Sequence, residues 1–366
     1  YQLTGIQFLQ FNTLFQLFAM ARENPPLLKK AQDLLFIPDI FNYLLTGEKK
    51  TEFSYATTSQ LYNPRKKDWD EDLFAALGVS RNIMQQIVPP GTVIGGIGRD
   101  ARRKTGLQEL SVVAPATHDT GSAVAAVPAA GRDWAFISSG TWSLMGIETR
   151  EPIITDKARD FNFTNEGGVG GTFRFLKNIM GLWLVQQCRN ALGSYTYEAL
   201  MRLATDAAPF KSIIYPDSAE FFNPPDMTEA VRRFCRESGQ PVPETPGEIV
   251  RCVLESLALQ YRRVLDQLHE VQSQQINVIN IVGGGVNNEL LCQFTADATG
   301  LPVIAGPVEA AAVGNILTQA MALGYVDSVA EVRDVVRRSF EPLRYEPRQT
   351  GLWDEVYERF QNLAEG

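Results

Sequence analysis

Apolar positions recur along the chain at helical spacing in some stretches and in short β-branched runs in others, with glycine and proline marking the changes. Up to about Asp72, Leu9, Leu14, Leu17 and Phe18 return near helical spacing, Pro25-Pro26 interrupts, and Leu34-Leu35-Phe36-Ile37 runs into Pro38. Helices joined by loops are expected there. Pro89-Pro90-Gly91, Gly95-Gly96 and Gly98 then frame Val93, Ile94 and Ile97, a strand-and-turn pattern. The run Leu110 to Ala114 predicts a strand, Thr117-His118-Asp119-Thr120 a polar loop, and Gly121 to Val127 a helix of small residues.

Pro128 to Asp133 is short and turn-forming and precedes a fresh strand, Trp134-Ala135-Phe136-Ile137, so a domain boundary is expected there, dividing residues 1–127 from 128–366. In the second part, Thr245 and Glu248 have capping-box spacing with Pro246 at the first helical position. Ile249, Val253, Leu257, Tyr261, Val264 and Leu268 then mark one face of a long helix. Ile276 to Val282 predicts a strand, Gly283-Gly284-Gly285 a turn, and Asn287 or Asn288 the start of a helix. Pro302 to Ala305 is a further strand, and Glu309 to Leu323 a helix closed by Gly324. Strands alternating with helices predict an α/β fold, with ligands beyond the carboxyl ends of strands.

Composition changes this picture mainly by exclusion. The 366 residues suit two domains, and 45% hydrophobic with 21% charged residues is ordinary globular usage. A net charge of −8 with only short basic runs leaves no footprint for nucleic acid or an anionic membrane. The two histidines and four cysteines have no zinc-like spacing, so no protein-held metal is expected. Buried free thiols and a cytoplasmic setting are expected, with no signal peptide or apolar span.

The candidate chemistry sits at the two turns that follow strands. Gly283-Gly284-Gly285 would let backbone N–H groups approach a phosphate, yet neither GxGxxG nor GxxxxGK[ST] is present, and a plain tight turn accounts for the glycines as well. Ser138 to Trp142 reads either as a second phosphate-contacting turn or as a hairpin. Asp119, just past a strand, is placed for catalysis or for capping the helix behind it. His118 has no GxSxG partner and suits a structural or substrate-positioning role. If the glycine turns and the strand-end carboxylate converge on one cleft between two α/β domains, they make the layout phosphoryl transfer requires, because alignment and charge neutralisation do most of the work.

The stretches GIQFLQFNTLFQL (5–17), YLLTGEKKTEFSYATTSQLYN (43–63), PPGTVIG (89–95), ATHDTGSAV (116–124) and SSGTWSLMG (138–146) resemble the FGGY carbohydrate kinases. So do TNEGG (164–168), LKNIMGLWLVQ (176–186), VGGGVNNELL (282–291) and AGPVEAAAVGN (305–315), in order over nearly the whole chain. The resemblance implies an actin-like, RNase H-like two-domain sugar kinase fold with sugar and ATP in the cleft between the domains. It implies that Asp119 is the general base, that His118, Thr120 and Asn178 contact the sugar, and that Thr141, Gln186, Gly283, Gly284 and Gly285 contact ATP. The implied reaction carries the γ-phosphoryl group of ATP, with Mg2+, to O1 of L-rhamnulose. Another ketose such as L-fuculose and a non-catalytic nucleotide- or sugar-binding remnant are the alternatives, with a hydrolase built on His118 and Asp119 a distant third. Family chains open on a strand and a Gly/Ser/Thr phosphate loop not seen before Tyr1, so an incomplete first domain is expected. Expected partners are the small molecules alone, with no nucleic acid or membrane, in a monomer or dimer.

Overall fold

The capping box at Thr245 forms: its hydroxyl accepts from the Glu248 N–H, and the Glu248 carboxylate accepts from the Thr245 N–H, opening the helix Pro246–Val271. Ile249, Val253, Leu257, Tyr261, Val264 and Leu268 are all fully buried on it. Burial extends past that stripe to Leu254, Ser256, Ala258 and Gln260. The helices Trp183–Leu192, Tyr197–Asp206, Glu289–Thr299 and Thr350–Glu365 all pack around it. Among the polar residues enclosed on it, Gln260 donates from Nε2 to Asp217 at 2.6 Å.

The computed structural model describes residues 1–23 and 25–365. They form two units, one from Tyr1–Ala126, Ile147–Lys177 and Ala310–Ser339, the other from Val127–Gly146, Asn178–Glu309 and the chain from Phe340 on. The division at 127/128 is one in chain order; compactness groups segments 147–177 and 310–339 with the first unit.

In the first unit, Thr51–Glu52 pairs in parallel with Ile87–Val88, and Thr92–Gly96 pairs antiparallel with Ser111–Ala114 across a bulge at Val93/Gly95. Leu17, Phe36, Ala56, Leu61, Tyr62, Trp69 and Phe74 form a core against the first helices. The helix Asp119–Ala125 follows the strand Ser111–Ala114 and packs against Ala310–Ala322. The approach is close: a Cβ on Gly314 would sit 1.8 Å from the Ser122 carbonyl oxygen, so glycine is required.

In the second unit, Trp134–Ser139 and Val278–Val282 run parallel, with Val278–Val282 also parallel to Val303–Ala305. Leu343–Tyr345 closes that side antiparallel, and Trp134–Ser139 turns back as a hairpin into Trp142–Thr149. Because Ser138 pairs with Val282, the two parallel strands end together. The serine-rich and glycine turns therefore emerge side by side.

Candidate functional site

His118, Asp119 and Thr120 lie in the first unit, while Asn178 belongs to the second. His118 takes the N-cap position with no side-chain cap bond, and Asp119 is the first residue of the helix. The capping role open to Asp119 is not the one it fills. Its Oδ1 accepts from the Thr120 N–H at 2.6 Å and from the Thr120 hydroxyl at 3.3 Å, and its side chain is 84% exposed. Thr120 is buried beneath it. His118 Nδ1 stands 3.7 Å from Asp119 Oδ1, too long for a hydrogen bond, and has no hydrogen-bond partner among the described residues. Burial pushes the His118 imidazole below the usual histidine range against the pull of Glu166, so it is neutral near pH 7.

Behind this turn is a set of buried charges with no sequence signature. Arg174 and Glu166 face each other across the antiparallel pair of Thr164–Gly167 with Phe173–Met180. Their Nη2 and Oε2 are 3.1 Å apart, and the Arg174 side chain has no exposure at all. Its Nε donates to the Gly167 carbonyl at 2.9 Å, while Nη1 has no hydrogen-bond partner among the described residues. Burial lowers the guanidinium pKa, opposed first by Glu166 and then by Glu52 and Asp119. Glu52, also buried, accepts from Ser54 and from Thr117, the residue before His118. Burial raises its carboxyl pKa against those bonds.

Thr141, Gln186 and Gly283 to Gly285 lie in the second unit, and the three glycines differ. Gly283 has φ +88 and a Cβ there would meet the Ser139 carbonyl oxygen at 2.8 Å; a Cβ on Gly285 would meet Ser139 Oγ at 2.0 Å. Gly284 has open space and is exposed. Two glycines thus let the turn rest on Ser139, and the third leaves an unobstructed surface. Of the two asparagines, Asn288 caps the helix Glu289–Thr299, accepting from Leu291 N–H at 2.9 Å and donating to the Tyr197 hydroxyl at 2.9 Å.

Ser138 to Trp142 is a hairpin turn, with the Gly140 N–H donating to the Trp142 carbonyl at 2.8 Å. The Leu182 and Trp183 N–H groups donate to the Gly140 and Thr141 carbonyls at 2.9 and 3.1 Å. Those bonds fix the start of the helix Trp183–Leu192, which carries Gln186. Thr141, Gln186 and Gly284 are all exposed around this one hairpin. Asn178, half-buried, lies on the strand Phe173–Met180, whose Met180 N–H donates to Asp217 at 2.9 Å. Among the described residues, no group of three or more His, Cys, Asp or Glu is gathered to hold a metal ion, and no helix is long and apolar enough to cross a membrane.

Comparison with known proteins gives this geometry a setting. Residues 1–126 match the N-terminal domain of the FGGY family of carbohydrate kinases, and residues 135–323 match its C-terminal domain. The chain is 47% identical over 364 residues to rhamnulokinase of Bacteroides thetaiotaomicron, covering 100% of this chain and 75% of that one. It is 45% identical over 343 residues to rhamnulokinase of Halalkalibacterium halodurans, covering 93% and 73%. Among solved structures, the ligand-bound xylulose kinase from Lactobacillus acidophilus superposes with a TM-score of 0.80 at 15% identity, covering 100% of this chain and 74% of that one. Plasmodium falciparum glycerol kinase with ADP gives 0.78 at 16% identity, covering 99% and 73%. The fold is the actin-like sugar kinase fold.

Proposed function

This chain belongs to the FGGY family of carbohydrate kinases, and we propose that it transfers the γ-phosphoryl group of ATP to O1 of L-rhamnulose, giving the 1-phosphate and ADP. The observation that carries the chemistry is the Asp119 carboxylate, exposed at the head of a helix, where it accepts hydrogen bonds from its neighbour Thr120. As O1 attacks the γ-phosphorus, Asp119 takes the hydroxyl proton and the bond to the ADP oxygen breaks. His118, neutral, and Thr120 hold the sugar beside it, with Asn178 a further contact. Thr141, Gln186 and the backbone of Gly283, Gly284 and Gly285 bind the nucleotide. Mg2+ enters as part of the substrate MgATP, held chiefly by phosphate oxygens and water. Four free, buried cysteines suit a reducing cytosol.

The identity of the sugar comes from the rhamnulokinase relatives. ADP release coupled to NADH oxidation, with L-rhamnulose and L-fuculose compared, tests it. L-rhamnulose should give the higher kcat/KM, and equal or reversed preference overturns the assignment. Asp119→Asn should lower turnover by on the order of 10²- to 10⁴-fold; undiminished turnover removes Asp119 as the base.

A further inference from the structure

We propose that Glu52 is a positioning residue for the transfer: through Thr117 and Ser54 it holds the backbone that presents Asp119. Its Oε2 accepts from the Thr117 N–H at 2.9 Å and the Thr117 hydroxyl at 2.8 Å. The same oxygen accepts from the Ser54 hydroxyl at 2.5 Å, and Oε1 accepts from the Ser54 N–H at 2.7 Å. With its proton committed to Glu52, Ser54 Oγ accepts from the His118 N–H at 3.1 Å. Both residues immediately ahead of Asp119 are thus tied by their amides to one carboxylate, directly or through one hydroxyl.

The anchor itself is rigid. Glu52 is 1% exposed, lies on a strand paired with Ile87–Val88, and caps the helix Phe53–Thr58. The helix behind the turn also packs closely against Ser54. A Cβ on Gly121 would fall 2.9 Å from Ala116 Cβ and 3.4 Å from Ser54 Cβ, so the helix carrying Asp119 has no slack there. The residue type follows from the partners: every group facing Glu52 in these bonds donates, and only a carboxylate accepts at both oxygens. An amide would set its NH2 against a backbone N–H.

This inference rests on Asp119 acting as the base in the proposed transfer, and its test separates the two. In the full chain, Glu52→Gln should lower kcat by about 10- to 100-fold, the cost of a misplaced reacting group, with KM for ATP within about two-fold. In an Asp119→Asn background the same change should alter kcat by less than about two-fold, because a residue acting through Asp119 has nothing left to position. An unchanged kcat in the first background, or equal losses in both, overturns the role. Amide exchange resolved to single residues by NMR reads the anchoring without any activity. Thr117 and His118 should exchange faster in Glu52→Gln, and unchanged protection overturns the proposal. Should Glu52→Gln fail to fold, Ser54→Ala decides: it should speed exchange at His118 while Thr117 stays protected, and an unchanged His118 rate counts against the anchor. Absence of sugar-dependent ADP release in the unmodified chain would count against the kinase reading, with the exchange measurements still deciding the anchoring.

Discussion

Gly285 rests on Ser139 so closely that a methyl group added to the glycine would lie 2.0 Å from the serine Oγ and 2.4 Å from its Cβ. Two turns separated by more than a hundred residues are thereby one surface. Gly285→Ala should force them apart, destabilising by about 1–3 kcal/mol, as overpacking does, and raising KM for ATP more than KM for the sugar. Adding Ser139→Gly to that variant should recover part of both losses, since the nearest remaining contact is the Ser139 carbonyl oxygen at 3.3 Å. Thermal unfolding and initial-rate kinetics on the two variants check this; additive losses would refute the contact.

Arg174 keeps a charge in the core of the first unit because Glu166 faces it. Removing the carboxylate strands the guanidinium, so Glu166→Ala should cost about 3–5 kcal/mol in urea unfolding. Replacing both by apolar residues, as in Arg174→Met with Glu166→Leu, should cost less than the single change. A single variant as stable as the parent would show that the pair contributes little.

Glu255 on the long helix has its carboxyl pushed up from 4.5 to about 7 by burial, against the pull of Arg251 at 2.7 Å. The folded state therefore holds this proton at pH values where the unfolded chain has released it. Its contribution is complete below about pH 4.5 and is lost as pH rises through about 7, on the order of 3 kcal/mol in all. The difference in unfolding free energy between the parent and Glu255→Gln should fall by that order between pH 4.5 and 8. A pH-independent difference would mean that the carboxyl titrates normally.

Much of the architecture was legible because local rules suffice for it. The capping box at Thr245, the Gly324 terminus and the strand running into Gly283 depend on neighbours a few residues away, and each forms. Asp119 was harder, since a carboxylate after a strand and ahead of small helix-forming residues favours a cap when taken alone. The cap position went to His118 because the helix begins two residues earlier than its small-residue run suggests. Glu52 was not legible at all: its partner Thr117 lies 65 residues away, and a lone glutamate before Phe53 has no periodicity to mark it.

By itself the sequence determined several of the strands and helices, the glycine and serine turns that end two of the strands, and the family to which the motifs belong, because these are carried by period, capping chemistry and contiguous residues. Only the tertiary structure decided which glycines are obligatory, that Arg174 and Glu166 share the interior, and that Glu52 reaches across to the turn before Asp119. Those are relations of a few ångströms between residues far apart in the chain. They exist only once packing has brought these distant side chains into contact and given most buried polar groups a partner.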